Sequence, residues 1–227
     1  MREIVLDTET TGLDPTTGDR IVEIGALELH NHVATGRTYH QYINPQRAMP
    51  AEAFAVHGLG DEFLRDQPVF TDVVDAFIDF VGDAKLVIHN ASFDMRFINA
   101  ELEWARRPAI PLERAVDTLE IARRKFPGAG NSLDALCRRF GVNNAARTLH
   151  GALLDSELLA EVYLELIGGR QPDFGLAATT RGGTGAGGTD WAPGPRPRPL
   201  ASRLTRAEAE AHEAFVAELG DKALWAR

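Results

Sequence analysis

Only one cysteine, Cys137, occurs in the 227 residues, which excludes an internal disulfide and argues against a thiolate zinc cluster. It lies in LDALCRRF at a helical apolar position, where a thiol reads as core filler. Aromatics make up 7% of the chain. No apolar run approaches the ~20 residues of a membrane-spanning helix. The opening MREIVLDTE has no charged start followed by an apolar core, so a signal peptide is not expected and a cytoplasmic protein is. Positive charge is short as well: 24 Lys and Arg against 33 Asp and Glu give a formal net charge of -9. Residues 170–227 hold 8 Lys/Arg and 7 Asp/Glu, so the acidic excess lies in residues 1–169. That argues against a broadly basic, duplex-binding surface. Nucleic acid remains open as a substrate, because divalent ions bound in an acidic site invert the local charge that a phosphate meets.

What is present is the composition of a globular protein, 44% hydrophobic and 25% charged. Three β-like runs, EIVLD, RIVEIGALEL and TYHQYI, open the chain. PVFTDVVDAFIDFVG reads as an amphipathic helix with Val69, Val73, Phe77 and Phe80 or Val81 on its apolar side. KLVIH is a short buried strand, and Ser92 is a candidate N-cap for the helix after it. AVDTLEIARRKF gives a strand end and a helix, NSLDALCRRFG a helix stopped at Gly141, and HGALLDSELLAEVYLELIGG the longest helix. Strands first, then alternating strands and helices, predict an α/β domain with a mixed central sheet flanked by helices. That domain is expected over residues 1–169. A Gly- and Pro-rich stretch over 177–199 predicts a flexible linker. LTRAEAEAHEAFVAELG predicts a last helix with a Thr205/Glu208 capping box and a stop at Gly220.

Four carboxylates and a histidine stand out. Asp7 and Glu9 are two apart at a strand end, so both side chains share one face. Two neighbouring carboxylates repel and call for a cation, and Asp7 follows the buried-looking run IVL, where an unpaired acid is costly. A metal-ligand role therefore outweighs a solvated strand edge. Asp94 lies in the first turn of a helix after KLVIH; alone, an Asp there is more often a helix-dipole residue than a ligand. His150 and Asp155 are five apart, ~140° on an ideal helix, so they would not share a face. Either His150 lies in the loop before the helix or it reaches the site from the helix start.

DTETTGL, HNASFDMRFIN and HGALLDSELLAEVY resemble the three motifs of the DEDDh class of 3′–5′ exonucleases. PAEAFAVHGL, FPGAGNSLDALCRRF, RTLHGALLD and the terminal ALWAR are similar, within that class, to the proofreading epsilon subunits of bacterial DNA polymerase III. The resemblance implies a ribonuclease H-like exonuclease fold. It implies two divalent ions, Mg²⁺ or Mn²⁺: Asp7 bridges both, Glu9 and Asp155 complete the first site, and Asp94 holds the second. His150 is implied as the base that deprotonates the attacking water. Asp7, Glu9 and Asp155 would thereby also meet the substrate. Glu52 is implied near the 3′-hydroxyl or sugar of the terminal nucleotide, and His57 near its phosphate or base. Thr10 and Leu13 are further candidate nucleotide contacts; His89 and Asn90 read as support for the ligands. Phe54 and Val56 read as core.

QPDFGL at 171–176 looks like a short sliding-clamp peptide, anchored by Gln171, Phe174 and Leu176. The segment 200–227 resembles the part of epsilon that binds the polymerase catalytic (alpha) subunit, and Leu204, Phe215, Leu219, Leu224 and Trp225 need a partner to bury them. The resemblance also allows a small stabilising, theta-like subunit and a place in the replisome at the bacterial nucleoid. The expected activity is removal of mismatched 3′-terminal nucleotides from DNA as 5′-monophosphates. The rivals are an RNA-directed exonuclease of the same class and a non-catalytic scaffold bridging clamp and polymerase.

Overall fold

Strand β1 (Arg2–Thr10) is buried on both faces, with Ile4, Val5 and Leu6 all fully inaccessible. Such a strand has no solvated face to alternate with, which is why IVL reads as a continuous apolar run. In the computed structural model, which describes residues 1–145, 147, 149–168 and 205–219, β2 (Ile21–His30) pairs antiparallel with β1, and β3 (Val33–Tyr42) antiparallel with β2. β4 (Lys85–Ile88) runs parallel to β1, and β5 (Ala115–Asp117) parallel to β4. The order β3-β2-β1-β4-β5 is the mixed sheet expected. β3 begins at Val33, earlier than TYHQYI suggested, through exposed residues without an apolar pattern.

Two short helices, α1 (Ala51–His57) and α2 (Asp61–Leu64), precede α3 (Phe70–Val81). α4 (Ala91–Trp104) follows β4 and α5 (Thr118–Lys125) follows β5; α6 (Leu133–Phe140) and α7 (Ala152–Leu166) come last in this unit. One sheet face, with Ile4, Leu6 and Ile24, packs against α3 and α4. The other, with Val5, Leu27 and Val87, packs against α6 and α7, and Cys137 is buried there as core.

Three local expectations are corrected. The buried stripe of α3 is Phe70, Val74, Phe77, Phe80 and Val81; Val69 is the N-cap residue and Val73 is half-buried, so the stripe lies one position on from the expected one at its start. Ser92 does not cap α4: the cap residue is Asn90, in the left-handed region at φ 66°. The side chain that satisfies this helix start is Asp117, which accepts from the Asn90 and Ala91 N–H groups, both at 3.2 Å. Phe54 and Val56 are exposed, at 49% and 45%, not core.

A second unit, after Leu176, contains α8 (Arg206–Leu219). Its capping box forms: the Thr205 N–H donates to Glu208 at 2.8 Å and the Glu208 N–H to the Thr205 hydroxyl at 3.3 Å. Phe215 is exposed on this helix. The peptide with Gln171, Phe174 and Leu176, the 177–199 linker, Leu204, Gly220, Leu224, Trp225 and the rest of ALWAR lie outside the described residues.

Candidate active site

At the C-terminal end of β1 the two sheet faces meet one cavity of about 640 Å³, lined by Asp7, Glu9, Asp94, His150 and Asp155 among others. Each arrives by a different route. Asp7 and Glu9 project from the same face of β1, as the two-residue period requires, and the ladder shifts register directly after Glu9. Asp94 comes from the opposite layer, in the first turn of α4. Its Oδ1 accepts from the Thr8 N–H at 3.1 Å and the Thr8 hydroxyl at 2.7 Å, which fixes the carboxylate beside β1. Asp155 stands in the first turn of α7. That helix approaches β2 at Gly25, where a Cβ would lie 2.1 Å from the Ala152 carbonyl carbon. Ser156 adds a hydroxyl bond to the Gly25 carbonyl at 2.9 Å.

His150 lies in the loop ahead of α7, so the first of the two routes open to it is the one taken. Its backbone N–H donates to the Val56 carbonyl at 3.1 Å, tying the loop to α1. From there its Nδ1 comes within 3.4 Å of Asp155 Oδ2, and its ring remains half-exposed at the cavity. Loop geometry thus removes the conflict that ideal helical spacing posed.

The cluster is short of positive charge. Burial, then the neighbouring Asp94, Glu9 and Asp155, hold the Asp7 carboxyl well above its ordinary range. Glu9 is pushed up to about 8 by burial, by Asp155 and by Glu23, its partner across the β1–β2 ladder. Asp94 rises to about 7, chiefly through burial, against the lowering effect of its Thr8 hydrogen bonds. For Asp155 burial acts upward too, but the hydrogen bonds from Arg147 outweigh it and hold the carboxyl below its ordinary range. Ligand atoms of Glu9, His150 and Asp155 all lie within 4.8 Å of one another. Carboxylates that resist ionisation together, with oxygen donors and no thiolate beside them, fit hard divalent cations.

Other expected residues sit around this centre. Thr10 is buried and its hydroxyl donates to the Gly12 carbonyl at 2.6 Å. His57 is buried at the end of α1, its Nδ1 accepting from the Leu59 N–H at 3.0 Å. Glu52 is exposed on α1, and Leu13 is 78% exposed. None of these four lines the cavity, whereas His89 does, its Nδ1 meeting the Thr118 hydroxyl at 2.9 Å. Asn90 is the exposed cap residue of α4.

Several lining residues were not anticipated: Phe93, Arg123, Asn131, Asp134 and, most consequentially, Arg147. Arg147 binds Asp155 with both carboxylate oxygens engaged, Nε to Oδ1 at 2.5 Å and Nη2 to Oδ2 at 2.6 Å. It stands inside the motif RTLHGALLD, but its spacing alone gives no sign that it reaches the acids.

Fold and site together define a metal-dependent exonuclease. A family model described as an exonuclease, RNase_T, matches residues 4–163. The chain is 57% identical over 177 residues to DNA polymerase III subunit epsilon of Rickettsia felis, covering 77% of each. With the subunit of Escherichia coli K12 it shares 50% identity over 177 residues, 74% of this chain and 72% of that protein. Among solved structures, exonuclease X in complex with 5′-overhanging duplex DNA superposes with a TM-score of 0.59 at 28% identity, covering 73% of this chain and 90% of that one. The nuclease domain of 3′hExo, a DEDDh family member bound to rAMP, matches at 0.64 and 18%, covering 73% and 91%, a likeness of fold. The chain belongs to the family of DNA polymerase III epsilon subunits, proofreading exonucleases.

Proposed function

We propose that this chain removes mismatched 3′-terminal nucleotides from DNA as 5′-monophosphates, with Asp7, Glu9, Asp94 and Asp155 as the residues that would hold two divalent ions, Mg²⁺ or Mn²⁺. The convergence of those four acids and His150 on one cavity, from both sheet faces, carries the reading. Bound there, the ions would lower the pKa of a water and stabilise charge on the attacking and leaving oxygens of an in-line displacement. His150 takes the proton of the attacking water; its half-exposed ring, anchored by its own backbone N–H to α1, suits a base that must exchange protons with solvent. A bond forms between the water oxygen and phosphorus, the bond to the 3′-oxygen breaks, and that oxygen takes a proton from solvent, so the shortened strand keeps a 3′-hydroxyl. Thr8 holds one oxygen of Asp94 and leaves the other for a cation.

A cavity of about 640 Å³ is of a size to take an unpaired terminal nucleotide. Mismatched ends fray more readily, and that supplies the selectivity. α1 is bonded to the His150 loop through the Val56 carbonyl, and Glu52 and His57 on that helix are assigned to the terminal nucleotide. Residues 171–176 are assigned to the sliding clamp and 200–227 to the polymerase catalytic subunit, with 177–199 between them as tether; a theta-like subunit is compatible with the family. Single-turnover cleavage of unpaired DNA and RNA 3′ ends tests the substrate. Faster DNA cleavage is expected, and preferential RNA cleavage overturns the reading. Co-purification with a polymerase subunit, lost on deleting 200–227, tests the partner.

A further inference from the structure

Arg147 does more than pair with one acid. Its side chain is 8% exposed, and its three guanidinium nitrogens reach three different groups. Nε and Nη2 occupy both oxygens of Asp155, Nη2 also meets His150 Nδ1 at 2.8 Å, and Nη1 meets Asp134 at 3.0 Å. A guanidinium has no acceptor, so it donates to His150 and engages the Nδ1 lone pair. One cation therefore covers a carboxylate assigned to a divalent ion and a ring nitrogen of the assigned base. Its field also reaches Asp7 and Glu9 and eases their repulsion.

We propose that Arg147 is an internal counter-cation that latches the metal-free site: it competes with the divalent ion for Asp155, and its release frees Asp155 and His150 in one event. Two features supply the means. A buried carboxylate stripped of its cation is costly, so Asp155 keeps one or the other. Asp134 offers the released guanidinium a second anchor at the rim: it is half-exposed, already bonded to Nη1, and held in place by Asn144, whose side-chain amide donates to it at 2.9 Å. Arg147 is thus a positioning residue, acting through Asp155 and His150.

The inference rests on Asp155 being a metal ligand, and the test separates the two. Mn²⁺ alone is titrated into the full chain without DNA, for the wild type, Arg147→Met and Asp155→Asn. Arg147→Met should bind Mn²⁺ about tenfold more tightly, since the competing cation is gone. Without metal it should melt below the wild type, and with saturating Mn²⁺ the gap should close; an arginine with a purely structural role would leave the same gap in both states. In the wild type, the ¹⁵N resonance of the Arg147 Nε–H should move on saturation with Mg²⁺, a readout that needs no substitution. Unchanged or weaker Mn²⁺ binding by Arg147→Met, or an Nε–H signal indifferent to Mg²⁺, overturns the latch. Equal Mn²⁺ binding by the wild type and Asp155→Asn overturns the ligand assignment beneath it.

Discussion

Asp7 lies directly opposite Gly25 in the β1–β2 ladder, and Gly25 is where α7 closes onto the sheet. The same contact that lets the helix approach therefore brings Asp155, in its first turn, alongside Asp7. Gly25→Ala would put a methyl group into the α7 backbone. The expected outcome is a loss of about 2–3 kcal/mol of stability, the scale of an overpacked core, with cleavage impaired in the fraction that folds. Thermal melting and single-turnover cleavage check it.

Asp94 depends on Thr8 in a different manner. Removing the hydroxyl with Thr8→Val leaves the backbone N–H bond but loses the 2.7 Å contact to Oδ1. Loss of a hydrogen bond that orients a metal-ligating carboxylate weakens activity or metal affinity about 10-fold to 100-fold. Thr8→Ser, which keeps the hydroxyl, should retain most activity.

Asp117 caps two helices at once. Its carboxylate accepts from Asn90 and Ala91 at the start of α4, and from Leu119 and Glu120 at the start of α5 at 2.9 and 3.3 Å. Asp117→Ala should cost about 2 kcal/mol, one strong cap or two ordinary ones. Because α4 carries Asp94, cleavage should fall further than the melting temperature alone accounts for.

The metal-free protein should lose stability as pH rises. Glu9 is raised from an ordinary 4.5 to about 8 and Asp94 from 3.8 to about 7, so the folded state binds more protons than the unfolded one between these values. Their favourable contribution is complete below the unfolded values and is lost as pH climbs through about 7 to 8. Bound cations hold the carboxylates as anions and should remove most of this loss, with protons released on binding. Melting temperatures across that window, with and without Mg²⁺, give the answer; a metal-free curve that runs parallel to the loaded one contradicts it.

Much of this was readable from residue order. Strand period placed Asp7 and Glu9 on one face, and Ser132, Gly141 and the Thr205/Glu208 pair mark helix ends where their chemistry says they should. Ser92 failed as a cap because the competing acceptor, Asp117, comes from a neighbouring strand and has no local signature. Phe54 and Val56 are apolar yet exposed, since α1 lies beside the site and not against the core. Spacing on an ideal helix could not place His150, because a loop bonded to the Val56 carbonyl decides its position. Arg147 was hidden for the same reason: what matters is which buried acid it reaches, and sequence distance does not state that.

The acids of this cavity are assigned to metal-dependent removal of nucleotides from a 3′ end. Asp7, inside the acid cluster and crowded by Asp94, Glu9 and Asp155, tests that assignment most directly. The measurement is release of 5′-mononucleotides from a DNA primer with an unpaired 3′ terminus, in Mg²⁺, by the wild type and by Asp7→Asn. The wild type should release them from the 3′ end and stop on chelation of the metal, while Asp7→Asn should fall by at least about a thousandfold, the scale of losing a catalytic charge-stabilising group. Near-wild-type cleavage by Asp7→Asn, or cleavage that survives chelation, contradicts the assignment.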